Sequence, residues 1–210
     1  MTRIVPAILT ADRSTLVSQL NLVRQLTSRV QIDCIDTSFV DNATVPIAEL
    51  PKPIDTKVDL DIMSRETPKV VEQAVSYGPQ LIIVHFELVD DLAPIIARVK
   101  KAGIQLGLAI DPDTTVKQIK PFLDELDAVV IMGYPAGFAG QKFQPDVLQK
   151  VEQLRTINND VEISLDGGTS LTTIAKICAT NLDIAYANSA LFAAQDPLTS
   201  YSELMEKCGI

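Results

Sequence analysis

Eight short runs rich in aliphatic and β-branched residues recur along the chain at roughly 25-residue intervals, each followed by a crossover segment. The runs are Arg3–Leu9, Arg29–Cys34, Asp55–Asp61, Leu81–Val84, Ile104–Ile110, Ala128–Met132, Val161–Leu165 and Ile184–Ala187. Amphipathic helical spacing follows at Ser14–Leu26, Pro68–Tyr77, Asp91–Lys101, Thr115–Leu126, Pro145–Ile157, Ser170–Ala179 and Thr199–Lys207. Thr67 reads as an N-cap, and Gly78 and Gly103 as helix stops. Only the second crossover, through Val45–Leu50, carries a short and poorly formed helical signal. Strands alternating with crossovers require a parallel sheet, and eight of them predict a single (β/α)8 TIM barrel at the compact end of its range. The rival, a doubly wound open sheet, more often has about five to seven strands and a glycine-rich first turn. Here the first turn is Thr10-Ala11-Asp12, without glycine. No linker, low-complexity stretch or charge run divides the chain, so residues 1–210 are expected to form one domain.

The charge balance narrows the partners. Formal net charge is -9 with a sequence pI near 4.6, and no cluster of Lys or Arg stands out. Nucleic acid and anionic membranes are therefore not expected partners. The start lacks the features of a signal peptide, and no segment approaches the roughly 18 apolar residues of a membrane span. Cys34, Cys178 and Cys208 are odd in number and far apart in sequence. They read as free thiols in a reducing cytosol, not as a disulfide framework. A cytoplasmic location is the expectation, and a homo-oligomer is left open.

A barrel carries its chemistry at the C-terminal ends of its strands. Those ends hold Asp33, Asp61, His85 with Glu87, Asp111, the segment Gly133–Gln141, Asp166-Gly167-Gly168 and Asn188-Ser189. Asp166 is a carboxylate at the tip of strand seven, able to move a proton or hold a metal. The glycines after it let backbone N–H groups approach a phosphate where a helix opens at Thr169. By itself Asp-Gly also reads as a turn, its commoner meaning. The phosphate site of many barrels lies near the last two strands, which is where these small residues gather. A small phosphorylated sugar is the partner this pattern suggests.

These residues carry a resemblance that runs nearly end to end. Pro6-Ala-Ile-Leu-Thr-Ala-Asp12, Gln31-Ile-Asp-Cys-Ile-Asp36, Val58-Asp-Leu-Asp-Ile-Met63, Val84-His85-x-Glu87, Gly137-Phe-Ala-Gly-Gln141, Asp166-Gly-Gly168 and Asn188-Ser-Ala-Leu-Phe192 resemble the signatures of the ribulose-phosphate 3-epimerase family. The resemblance implies an isomerase that epimerises a pentulose or ketose phosphate at the carbon beside the ketone, through an enediolate. It places the two catalytic carboxylates on Asp33 and Asp166. It places phosphate and substrate contacts on Gly137, Phe138, Ala139, Gly140, Gly167, Gly168, Asn188 and Ser189, with Met63 and Met132 near the reacting carbons. Strands two and seven are three steps apart around an eight-stranded ring, so their tips face each other, as two-faced proton transfer needs.

The departures concentrate in the site. The family's metal is bound by two histidines and two aspartates, and the histidine positions here are Gln31 and Asp61. The metal set would then be Gln31, Asp33, Asp61 and Asp166. Exchanging imidazole for carboxylate shifts preference toward Mg or Mn over Zn or Fe. No organic cofactor is expected. Epimerisation without metal, a non-catalytic phosphosugar-binding barrel, and a hexulose-phosphate synthase-type lyase remain as alternatives. The lyase reading turns on Lys57, which by alternation shares a face with Asp55, Asp59 and Asp61. If that face is the barrel interior, Lys57 is enclosed by carboxylates, either as a neutralised ion cluster or as a catalytic lysine. His85, the only histidine, either orients strand four or touches a carboxylate. Tyr134 and Phe138 either cover the phosphate or pack the strand-six loop down. Asp36 either partners Asp33 or caps the following turn.

Overall fold

Parallel strands buried on both faces need near-continuous apolar sequence, and the eight runs supply it. In the computed structural model, which describes residues 1–52, 55–138 and 140–210, they form β1 (Arg3–Ile8), β2 (Arg29–Ile35), β3 (Lys57–Met63), β4 (Leu81–His85), β5 (Gln105–Ile110), β6 (Ala128–Met132), β7 (Glu162–Asp166) and β8 (Ile184–Ala187). Each pairs in parallel with its sequence neighbour, and β1 pairs with β8 to close the barrel. This is a (β/α)8 TIM barrel. Pro53, Ile54 and Ala139 lie outside the described residues, so the expected role of Ala139 has no structural counterpart here.

The period of two along each strand sorts side chains into two cores. Val30, Ile32 and Cys34 of β2 face outward and join a large apolar layer beneath the helices. Arg29, Gln31, Asp33 and Ile35 alternate with them, and Ile35 belongs to a separate interior cluster with Val5, Met63, Ile83, Val130 and Tyr186. Cys34 is thus buried under the helices, as its alternation with Asp33 implies.

The crossovers are α1 (Arg13–Leu26), α2 (Thr67–Tyr77), α3 (Ala93–Lys101), α4 (Val116–Ile119), α5 (Gln149–Ile157), α6 (Ile174–Cys178), α7 (Ser189–Phe192) and α8 (Pro197–Cys208). Asp12 caps α1 by accepting from the Thr15 N–H at 2.7 Å. Gly78 ends α2 in the left-handed region. Thr67 is the first residue of α2, not its cap, and its hydroxyl turns back to the Ser64 carbonyl instead. Several helices are shorter than their periodicity suggests. A 3₁₀ turn, Lys120–Glu125, replaces the second half of the fourth crossover because Pro121 has no N–H to continue the helix. A 3₁₀ turn at Pro145–Leu148 likewise leads into α5, and among its described residues the second crossover holds only the 3₁₀ turn Ile47–Glu49.

Two features depart from the sequence reading. Cys178, at the end of α6, is disulfide-bonded to Cys208, at the end of α8, with 5.4 Å between their Cα atoms. The expectation of three free thiols holds for Cys34 alone. A separation of 30 residues gave no hint of the pairing, because the fold alone sets these two helix ends side by side. The inference of a reducing compartment drawn from the cysteines loses its basis. No helix among the described residues is long and apolar enough to cross a membrane.

The second departure lies at the N-terminal end of the barrel. Lys57 is exposed, so it is not enclosed by carboxylates. The buried cation is Arg29, one strand away. Its Nε donates to Asp59 at 2.7 Å, and its terminal nitrogens donate to both oxygens of Glu162 at 2.8 and 2.9 Å. The Tyr186 hydroxyl adds a bond to Asp59 at 2.9 Å. Burial pushes the Asp59 carboxyl up to about 6, against the pull of Arg29. Removing one member of such a buried set strands the others. Arg29→Met is expected to cost about 3–5 kcal/mol in denaturant unfolding. Reducing the Cys178–Cys208 bond, which closes a loop of 30 residues, is expected to cost about 2–4 kcal/mol in the same assay.

Candidate active site

The upper half of the barrel interior holds the expected carboxylates together. Registry sets Asp33 of β2 beside Asp61 of β3, and Asp166 comes from β7 across the mouth. Each of the three offers an oxygen within 4.8 Å of the others. Gln31 links two of them. Its Nε2 donates to Asp33 at 2.9 Å and to Asp166 at 2.6 Å. The Gln31 Oε1 and the Asp61 Oδ2 are buried without a hydrogen-bond partner.

Burial and crowding of like charge set the proton affinities. Burial, then Asp166 and Asp61, push the Asp33 carboxyl well above the usual range, with the Gln31 bond opposing. Asp166 keeps some exposure as a residue, yet its carboxyl is densely surrounded. Burial and Asp61 push it up to about 6, against the Gln31 bond. The two carboxyls therefore titrate as an interacting pair, each with its proton affinity raised by burial and by neighbouring carboxylate charge.

His85 resolves in favour of a carboxylate contact. Its Nε2 lies 2.9 Å from Asp61 Oδ1, and both side chains are fully buried. Burial disfavours the imidazolium, but Asp61, with Glu87 and Asp111 beyond it, outweighs this and raises the His85 pKa. Glu87 and Asp111 form a second acidic group around the same histidine at the tips of β4 and β5. Glu87 accepts from the Asp111 N–H at 2.9 Å. Asp36, by contrast, does not partner Asp33. It caps the turn at Ser38 and joins Ser64 on the next loop.

The three carboxylates and the buried amide oxygen fit a hard divalent cation. The orphaned Asp61 Oδ2 and Gln31 Oε1 are the atoms such an ion would satisfy. As oriented, the Gln31 –NH2 group spans Asp33 and Asp166, and a half-turn of the amide would present oxygen instead. An imidazole-rich zinc site does not fit, because the single histidine is taken up by Asp61.

The loops close over this centre. The Gly133 N–H donates to the Asp166 carbonyl at 2.6 Å, and a Cβ on Gly133 would strike the Gly167 oxygen. Asn42 donates to the Gly137 carbonyl at 3.0 Å, and Ala136 N–H donates to Asp111 at 3.2 Å. Gly167 and Gly168 both take left-handed φ, with the rings of Tyr134 and Phe143 packed against them. Tyr134 therefore packs the loop down, whereas Phe138 is 48% exposed and Gly140 is exposed. No helix opens at Thr169: residues 169–173 form turns and α6 begins at Ile174. The Thr173 hydroxyl accepts from the Ser170 N–H and donates to the Gly168 carbonyl, tying this turn to the start of α6. Asn188 donates to the Ala7 carbonyl at 2.7 Å, while Ser189 is exposed. Met63 and Met132 are buried in the interior cluster with Ala7 and Ile35.

Sequence reasoning missed the Arg29–Glu162–Tyr186 group. The signal was present: Arg29 shares the period-two face of Gln31 and Asp33, and Glu162 that of Asp166.

A parallel barrel with acidic groups gathered at the C-terminal strand ends, under loops that hold the mouth, is the arrangement of a barrel enzyme of acid–base type. The ribulose-phosphate 3 epimerase family model matches residues 3–192, and the chain belongs to that family. It is 30% identical to the ribulose-phosphate 3-epimerase of Schizosaccharomyces pombe, over 93% of this chain and 89% of that one. It is 29% identical to the Bacillus subtilis enzyme of the same name, over 97% and 98%. Among solved structures, KGPDC from Streptococcus mutans aligns with a TM-score of 0.75 at 12% identity, over 99% and 97%. The 3-hexulose-6-phosphate synthase from Salmonella typhimurium aligns at 0.70 and 18%, over 99% and 98%. These two share the fold.

The raised carboxyl groups make a signed pH prediction for the chelated protein. Asp166 moves from 3.8 to about 6, so across that window the folded state holds more protons than the unfolded chain. Its contribution is complete at low pH and is lost as pH rises through about 6. Urea unfolding from pH 4 to 7 should show this loss in the wild type and a flatter profile in Asp166→Asn. An identical slope in the two proteins would place Asp166 outside the titrating group.

Proposed function

We propose that the chain epimerises a pentulose phosphate at the carbon beside the ketone, with Asp33 and Asp166 as its acid–base pair. The observation that carries this reading is the pair itself. Two carboxyls from opposite sides of the barrel mouth, both with raised proton affinity, are joined through one amide nitrogen. Family membership supplies the reaction class, and the relatives' shared name supplies the substrate class.

In the forward direction one carboxylate takes the proton from the substrate carbon. The C–H electron pair moves into the enediolate. The other carboxyl, protonated, then gives its proton to the opposite face. The roles exchange in the reverse direction, so both residues must reach the same carbon. Asp33 on β2 and Asp166 on β7 come from different sides of the barrel, which supports such a transfer. A divalent cation held by Asp33, Asp61, Asp166 and the Gln31 oxygen would neutralise charge building on the enediolate oxygens, and an all-oxygen set favours Mg or Mn over Zn or Fe. Met63 and Met132 would line the carbon chain, excluding water from the reacting carbon.

The phosphate would sit at the loop backbones of Gly137–Gly140, Gly167–Gly168 and Asn188–Ser189, with Phe138 free to fold over it. Backbone N–H groups bind a phosphate without a basic patch, which agrees with a net charge of -9. The lyase alternative loses its residue, because Lys57 is exposed at the opposite end of the barrel from the carboxylates.

The deciding measurement is exchange of substrate hydrogen with deuterated water, with ribulose 5-phosphate as the probe. Wild type should exchange, and Asp33→Asn and Asp166→Asn should each lower the rate by about 10²–10⁴-fold with the fold intact. Full activity in either variant would remove the two-carboxylate mechanism. Binding of the sugar phosphate with no exchange would leave a binding barrel. Chelation should abolish turnover and Mg or Mn should restore it.

A further inference from the structure

The single histidine sits behind a carboxylate, not beside the reacting groups. We propose that His85 is the positioning residue for Asp61: it reserves one Asp61 oxygen and presents the other to the divalent cation. This rests on the metal reading above. Carboxylates commonly orient histidine ligands of metals, and the order is reversed here.

Three observations carry it. The His85 Nε2 to Asp61 Oδ1 distance is 2.9 Å, and both groups are fully buried, so water is not a substitute donor. The second oxygen, Oδ2, is buried and has no partner. That residue also belongs to the three whose carboxylate oxygens lie within 4.8 Å of one another. A buried carboxylate with one oxygen bonded and one free is oriented as a single-oxygen ligand. Without the imidazole both oxygens would be unpartnered, and nothing on β4 would fix the rotation of the group. Glu87 and Asp111 each offer a carboxylate oxygen within 4.8 Å of a ring nitrogen of His85.

The test compares two amides that differ only in reach. Asn at position 85 fills the inner part of the imidazole volume but stops short of Asp61. Gln extends a nitrogen to about where Nε2 lies. Mn²⁺ binding to the tag-free chain is measured by calorimetry, with unfolding midpoints taken alongside. His85→Asn should weaken Mn²⁺ binding by about 10–100-fold, and His85→Gln should recover most of that loss. A folded His85→Asn that binds Mn²⁺ as tightly as wild type overturns the proposal, as does a folded His85→Gln no better than Asn. A wild type that binds no Mn²⁺ removes the metal reading and this inference with it. Equal binding by all three removes only the inference.

A wild-type measurement keeps the proposal exposed should the variants not fold. With one histidine in the chain, its ring ¹⁵N signals need no residue assignment, and Nδ1 is told from Nε2 by their different couplings to the ring C–H protons. Nε2 should carry a proton both without and with saturating Mg²⁺. Absence of that proton in either state overturns the proposal.

Discussion

Negative charge inside the barrel is the constraint around which the rest is organised. Asp33, Asp59 and Asp61 are buried on two adjacent strands, and Asp166 joins them from across the interior. An uncompensated carboxylate in such surroundings costs several kcal/mol. The chain meets this requirement in two ways at two depths. At the N-terminal end, Arg29 supplies a permanent charge between Asp59 and Glu162. Higher up no guanidinium or ammonium contacts the three carboxylates among the described residues; an amide, an imidazole and exchangeable protons stand there instead. The lower layer is thereby fixed and structural. The upper layer can change its protonation or take up a cation, which is the property that chemistry needs.

The loops inherit their geometry from the same centre. Asp166 is bound through its side chain to Gln31 and through its carbonyl to Gly133. The start of the β6 loop and the β7 carboxylate thus cannot move independently. Gly133, Gly167 and Gly168 permit this closeness, since a Cβ at any of them would meet backbone or ring atoms at under 3.0 Å. Farther along, Asn42 ties Gly137 to the β2 loop. Phe138, 48% exposed, projects outward from this packed region and has room to move on ligand binding.

The strands were legible because a parallel barrel demands apolar runs, and their period of two was enough to separate Asp33 from Cys34. Asp33, Asp61 and Asp166 follow from the rule that chemistry lies at C-terminal strand ends. What could not be read was pairing between distant elements. Lys57 and Arg29 are register partners that both begin inward-facing series, so alternation offered both positions and could not say which is enclosed. Cys178 and Cys208 meet because α6 and α8 pack side by side, a contact no local pattern encodes. Thr169 opens no helix: α6 begins only at Ile174, after a turn in which the Thr173 hydroxyl bonds Ser170 and Gly168.

Gln31 has a consequence for the proton inventory of the site. An imidazole bridging Asp33 and Asp166 could itself take or give a proton near neutral pH. An amide cannot. It offers two N–H groups, and both carboxyls draw on the same nitrogen. The bridge therefore holds the pair in place and moderates the rise in both proton affinities without becoming an acid or a base. His85 is occupied by Asp61 and stands one residue farther from the pair. On the proposed mechanism the proton leaving the substrate carbon and the one returned to the opposite face are therefore carried by Asp33 and Asp166, not by the bridge between them.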